Sequence, residues 1–135
     1  MSITALQKAM REMPQATGLV TRHYFADGMY ARELIRPAGT LIVGKTHKHE
    51  HFYIVTKGRV QVASDEGNEI YEAPTVIVSR PGTKRAVLAL EDSVCMTVHR
   101  TGLRDLDAIE RELIEPEVES LFDARNELKE LPCPG

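Results

Sequence analysis

The sequence predicts a single, mostly β domain: an antiparallel sandwich or barrel, with a short helix before it and acidic helices after it. Three observations lead there. A chain of 135 residues is the length of one domain around one core. Between Gly18 and Thr101, short stretches rich in Val, Ile, Tyr and Thr are separated by turn signals at intervals of about 8–12 residues, with no helical pattern between them. From Leu103 onward, apolar residues recur at three- and four-residue steps instead.

Taken in order, Ser2 to Met13 has Ile3, Leu6, Ala9, Met10 and Met13 on one helical face, and Pro14 ends the run, which predicts a helix over 1–14. The barrel is expected over 18–101. Its turns are marked by Asp27-Gly28, Pro37-Ala38-Gly39, Lys57-Gly58, Asp65-Glu66-Gly67-Asn68, Pro81-Gly82 and Glu91-Asp92, and about eight strands fit between them. The expected core contains Leu41, Val43, Val55, Val60, Val62 and Val87, while Ile42, Phe52 and Ile54 are expected to face outward. Helices are expected over 102–131. Leu103, Leu106, Ile109, Leu113 and Ile114 form one stripe, and Val118, Leu121, Phe122, Leu128 and Leu131 form a second. Pro116 suits the first turn of that second helix. These helices are expected to pack on the outside of the barrel, or else to meet another subunit.

Composition narrows the function. A net charge of −3 does not suit a basic nucleic-acid binder. No apolar run reaches the ~18 residues of a membrane helix, and Met1 to Arg11 is too polar for a secretory leader. Cys95 and Cys133 form no CxxC pair and no disulfide framework, which suits a reducing compartment and a cytoplasmic location. Ser64, Ser79 and Ser93 lack a nucleophile-elbow setting, and no glycine-rich phosphate loop is present.

The chemistry-bearing feature is Thr46-His47-Lys48-His49-Glu50-His51. Alternate residues of a strand share a face, so imidazoles at this spacing can converge on a divalent metal. A solvated, histidine-rich turn is the competing reading. On the last strand, Val94, Met96 and Val98 form an apolar face expected in a core, while Cys95, Thr97 and His99 share a small, polar face that suits the interior near the pocket or solvent equally; in the first case His99 joins the cluster. His49 is expected in the turn, and His23 is read as structural or superficial.

These residues resemble the first motif of the cupin superfamily: Gly, five residues, His-x-His, three or four residues, Glu, six residues, Gly. Here the chain has Gly39, five residues, Lys45-Thr46-His47, three residues, His51, six residues and Gly58. The family's second motif appears as Pro81-Gly82-Thr83-Lys84-Arg85, with Ala89 at its Asn position. The resemblance therefore implies a single cupin-like antiparallel β-barrel of the jelly-roll (double-stranded β-helix) kind, in which Lys45, His51 and Arg85 replace ligand positions and His47 keeps one. The run Pro81 to Arg85, the ending Thr97-Val98-His99-Arg100-Thr101 and the acidic helix after it are also similar to small cupin-like proteins of tailed-phage genomes.

The expected pocket thus holds Lys45, Tyr53 and Arg85 as ligand-binding residues, with His47, His51 and His99 as metal ligands. Two permanent cations beside a divalent ion would repel it. Three function classes stay open: a module binding a small anion, a structural or virion-assembly protein, and a metal-dependent isomerase or oxygenase built on His47 and His51. Anion binding is expected to strengthen below pH ~6.5 as imidazoles protonate. The apolar outward residues, together with the resemblance, favour a homo-oligomer with a dimer first. Other virion proteins are the alternative partners, and the virion is the alternative location.

Overall fold

The computed structural model describes residues 19–64 and 67–116. The expected helix over 1–14 and the second apolar stripe from Val118 lie outside them.

Among the described residues, nine strands form two antiparallel sheets. They are β1 (Thr21–Ala26), β2 (Met29–Arg36), β3 (Leu41–Val43), β4 (His51–Lys57), β5 (Arg59–Ser64), β6 (Gly67–Glu72), β7 (Thr75–Ser79), β8 (Ala86–Ala89) and β9 (Ser93–Arg100). One sheet runs β1-β2-β9-β4-β7 and the other β3-β8-β5-β6. The sheets face each other as a jelly-roll sandwich and do not close into a single hydrogen-bonded cylinder. Val55, Val60, Val62 and Val87 are buried between them with Tyr53 and Cys95. Valine suits these positions because its branched side chain packs on a pleated surface.

The third strand departs from the expected parity. Ile42 is buried opposite Val87, whereas Leu41 and Val43 are only half-buried. The strand ends at Val43, and the Gly44 N–H donates to the Arg85 carbonyl oxygen at 2.8 Å. Residues 44–46 then leave the strand, so the strict alternation from Leu41 to His47 is broken there. Lys45 and His47 still reach the interior because of that irregular segment.

One glycine has a steric reason on two counts. Gly58 joins β4 to β5 with φ +82°, and a Cβ there would overlap Ser93 Oγ and lie 2.8 Å from the Ser93 Cα. The Ser93 hydroxyl accepts from the Arg59 N–H at 3.0 Å and donates to the Glu91 carbonyl at 2.8 Å. The turn and the start of β9 are thereby locked together.

After β9 the chain forms helix α1 (Leu106–Leu113). Asp105 caps it, its carboxylate accepting from the Ala108 N–H at 3.0 Å. Ile109 and Leu113 bury their side chains against Tyr30, with Phe25, Leu106 and Ile114 around them. Leu103 lies before the helix and is exposed. The helix is tied down through the Lys48 N–H, which donates to the Leu113 carbonyl at 2.7 Å, and the Glu115 N–H, which donates to Thr46 at 2.9 Å. It therefore packs on the sandwich beside the histidine segment, at the end where β2 and β9 pair Tyr30 with His99.

Candidate metal centre

Strand alternation builds the interior wall. Arg32, Leu34 and Arg36 on β2, Cys95 and Thr97 on β9, and His51 and Tyr53 on β4 all line one cavity of about 100 Å³. Register sets their levels: Arg32 is opposite Thr97, Thr97 is opposite Tyr53, and Leu34 is opposite Cys95. The irregular segment after β3 adds Lys45 and His47, and Arg85 enters just ahead of β8.

Three histidines meet at one end. The His47 and His51 ring centroids are 4.2 Å apart, His51 and His99 are 4.6 Å apart, and His47 and His99 are 5.1 Å apart. One nitrogen from each lies within 4.8 Å of the others. The turn residue His49 is exposed, but its carbonyl oxygen accepts a hydrogen bond from His51 Nδ1 at 3.0 Å. With Nδ1–H used this way, the lone pair of His51 sits on Nε2, which is buried with no hydrogen-bond partner. Thr97 Oγ1 and His99 Nε2 are hydrogen-bonded at 2.9 Å, which fixes the third ring. Tyr30 stacks against His99 at 5.9 Å, and its hydroxyl is 2.7 Å from His23 Nδ1. His23 thus has a structural partner.

Burial makes these imidazoles bases that stay neutral. Desolvation, then the neighbouring His51 and His99, then Arg32 and Arg85 push His47 down to about 2. His99 falls to about 3 through desolvation, His51 and Arg32. His51 is lowered mainly by burial, against its bond to His49. The rise in anion binding expected below pH 6.5 therefore cannot come from His47 or His99 near that pH. Neutral rings with available lone pairs are what a divalent metal requires.

The donor set fits such an ion. Three buried or half-buried imidazoles, one with an orphaned Nε2, supply three nitrogens, and bonds of about 2.0–2.1 Å would draw them together. The other expected residues take different positions. The Lys45 ammonium bonds the Glu110 carboxylate of α1. Arg85 donates from Nη1 to Ser79 Oγ at 2.7 Å and lies over the Tyr53 ring, 5.2 Å from its centroid. Both cations are thus held by groups other than the histidines. Glu50 is exposed.

Sequence reasoning missed Arg32, Arg36 and Glu110. The first two were visible in principle: Tyr30, Arg32, Leu34 and Arg36 alternate along β2, so a strand that buries Leu34 turns both arginines inward. Glu110 carried no such signal, because its partner is 65 residues away.

No family model matches the chain, and no curated protein matches it. Solved structures do. A cupin 2 conserved barrel domain protein from Salinispora arenicola is 18% identical, with 64% of this chain and 78% of that one covered and a TM-score of 0.52. An RmlC-like cupin from Shewanella frigidimarina is 16% identical over 67% and 84%, with a TM-score of 0.54. KdgF from a Halomonas species is 17% identical over 69% and 88%, with a TM-score of 0.56. These likenesses show the cupin fold.

Proposed function

We propose that this cupin-fold chain binds a divalent metal through His47, His51 and His99 and takes a small anionic molecule into the adjoining cavity. The observation that carries the reading is the convergence of three neutral imidazoles beside a cavity lined by arginines. Three protein ligands leave coordination positions open, and a metal there would act as a Lewis acid on an oxygen of the bound anion. The chain's own groups have separate tasks. His49 orients His51 through its carbonyl, Thr97 orients His99, and Glu110 draws the Lys45 charge to itself. Burial raises the Tyr53 hydroxyl above its ordinary range, so it remains a proton donor toward the cavity. Arg85 supplies positive charge above the Tyr53 ring. The size of the cavity, well below the ~300 Å³ of drug-sized sites, restricts the anion to a few carbon atoms. Elemental analysis of untagged protein tests this reading. One equivalent of metal, lost in the His47→Ala/His51→Ala double variant, is the expected result, and metal-free protein that takes up none on titration contradicts it.

A second reading, self-assembly, has its own observation. Phe52, Val76 and Val78 are exposed on adjoining strands β4 and β7, with Phe52 directly opposite Val78. A solvated sheet face would be polar there. A second copy of the chain is the proposed cover, as a homodimer through this sheet.

A further inference from the structure

The cavity has a second end, away from the histidines, whose polar groups are not accounted for by the metal site. Arg36 is the last residue of β2 and is only 7% exposed, yet its Nε and Nη1 atoms are buried without hydrogen-bond partners. The Tyr53 hydroxyl is likewise buried with no partner in hydrogen-bonding geometry, the Cys95 thiol being its polar neighbour. Arg36 and Tyr53 line the same cavity, and the Arg36 charge acts on that hydroxyl. Arg85 stands over the face of the same ring. Among the described residues lining this cavity there is no Asp or Glu; Leu34, Ile42 and Val87 give it apolar wall, and Arg32, Lys45, Thr83 and Thr97 complete its polar lining.

A guanidinium without an acceptor is among the costliest groups to bury. Guanidinium forks match carboxylates in shape, with two parallel N–H donors. Tyr53 adds an O–H donor to the same cavity. We propose that Arg36 and Tyr53 form a carboxylate-binding subsite at the deep end of the cavity, so that the ligand is a short organic acid held by one carboxylate there and presenting its other oxygen-bearing end to the histidines. This rests on the anion-binding reading above and adds the ligand class and its direction in the cavity. Tyr53 lies two residues beyond His51 on β4, a rise of roughly 7 Å. A four- or five-carbon dicarboxylate spans a comparable length.

The test is calorimetric titration of the full chain with succinate, and separately with inorganic phosphate, after chelator treatment and again after loading with Zn²⁺. Chelator-treated protein is expected to bind succinate, with affinity on the order of 10- to 100-fold weaker in Arg36→Gln. Tyr53→Phe should weaken it less, and Arg36→Lys should restore part of the loss. Without ligand, Arg36→Gln should melt no lower than the parent, since it removes an unpaired buried charge. Zinc content should stay unchanged in all three variants. The inference is overturned if Arg36→Gln binds succinate as tightly as the parent in both metal states, if it melts lower with Arg36→Lys equally impaired, or if phosphate alone shows the Arg36 dependence. Succinate binding through Arg36 in a chain that takes up no zinc sustains the inference and contradicts the metal reading. Zinc uptake with succinate binding indifferent to Arg36 does the reverse.

Discussion

Lys45 and Glu110 form an ion pair between the segment after β3 and helix α1, with the lysine side chain 9% exposed and the glutamate 24% exposed. The pair attaches the helix to the histidine end of the cavity and neutralises a permanent cation beside His47 and His99. Glu110→Gln leaves that ammonium buried without its counter-charge. Because Glu110 is partly solvated, the expected loss is about 1–3 kcal/mol, below the full cost of breaking a buried pair. Urea unfolding should show it, and zinc affinity should fall in the same variant. Replacing both residues, as Lys45→Met/Glu110→Leu, should recover most of the zinc affinity. Unchanged zinc affinity in Glu110→Gln would detach the ion pair from the site.

The histidine trio makes metal-free protein acid-sensitive. An unfolded histidine takes its proton near pH 6.5, whereas the folded His47 and His99 do so only at about 2 and about 3. As pH falls from about 6.5 toward 3, the unfolded chain binds protons that the folded chain does not, and stability declines. Each ring contributes up to ~1.4 kcal/mol per pH unit in that window. Denaturant melts of chelator-treated protein between pH 7.5 and 4 should therefore slope downward toward acid, and His47→Gln/His99→Gln should slope less. Parallel slopes would mean the rings protonate as freely folded as unfolded.

Gly58→Ala should be strongly destabilising. The left-handed conformation alone costs an alanine ~1–2 kcal/mol, and the new methyl group would press on Ser93 and the Asp92 carbonyl oxygen. A loss of at least ~2 kcal/mol is expected by chemical denaturation. By contrast, Gly39→Ala faces the same φ penalty at +84° with nothing within 4 Å of the added carbon, so it should cost only the conformational part.

These cases show what the sequence made legible. The turn signals and the valine alternation were enough for an antiparallel sandwich or barrel, because period-two burial and φ > 0 turns are local properties, and the jelly roll followed from the resemblance of the glycine frame to the cupin motif. His47 and His51 could be read from spacing; the strand face of His99 could not, since its apolar alternates Val94, Met96 and Val98 point to the core by composition, yet Cys95 and His99 are the buried ones. The parity break at Gly44 could not, since it depends on a hydrogen bond to Arg85 some 40 residues away. Arg36 was legible only by trusting the alternation around Leu34 against the ordinary preference of arginine for water. The place of α1 was hidden for the same reason as the Glu110 contact: an amphipathic stripe tells which helix face is buried and not against what.

The outer face of β4 and β7 is expected to mediate self-association. Phe52 is 48% exposed and Val78 55%, a cross-strand apolar pair at a sheet edge. Light scattering at micromolar concentration should give the mass of a dimer, and Phe52→Lys should give the monomer. A parent protein that scatters as a monomer would refute this.

The most direct measurement of the central claim is X-ray absorption at the zinc edge on protein loaded with one equivalent of Zn²⁺. Three imidazole nitrogens at about 2.0–2.1 Å are expected in the parent chain, falling to two in His99→Ala with a light oxygen or nitrogen donor in the vacated place. A spectrum without imidazole scattering, or one that His99→Ala leaves unchanged, would contradict a shared site for His47, His51 and His99.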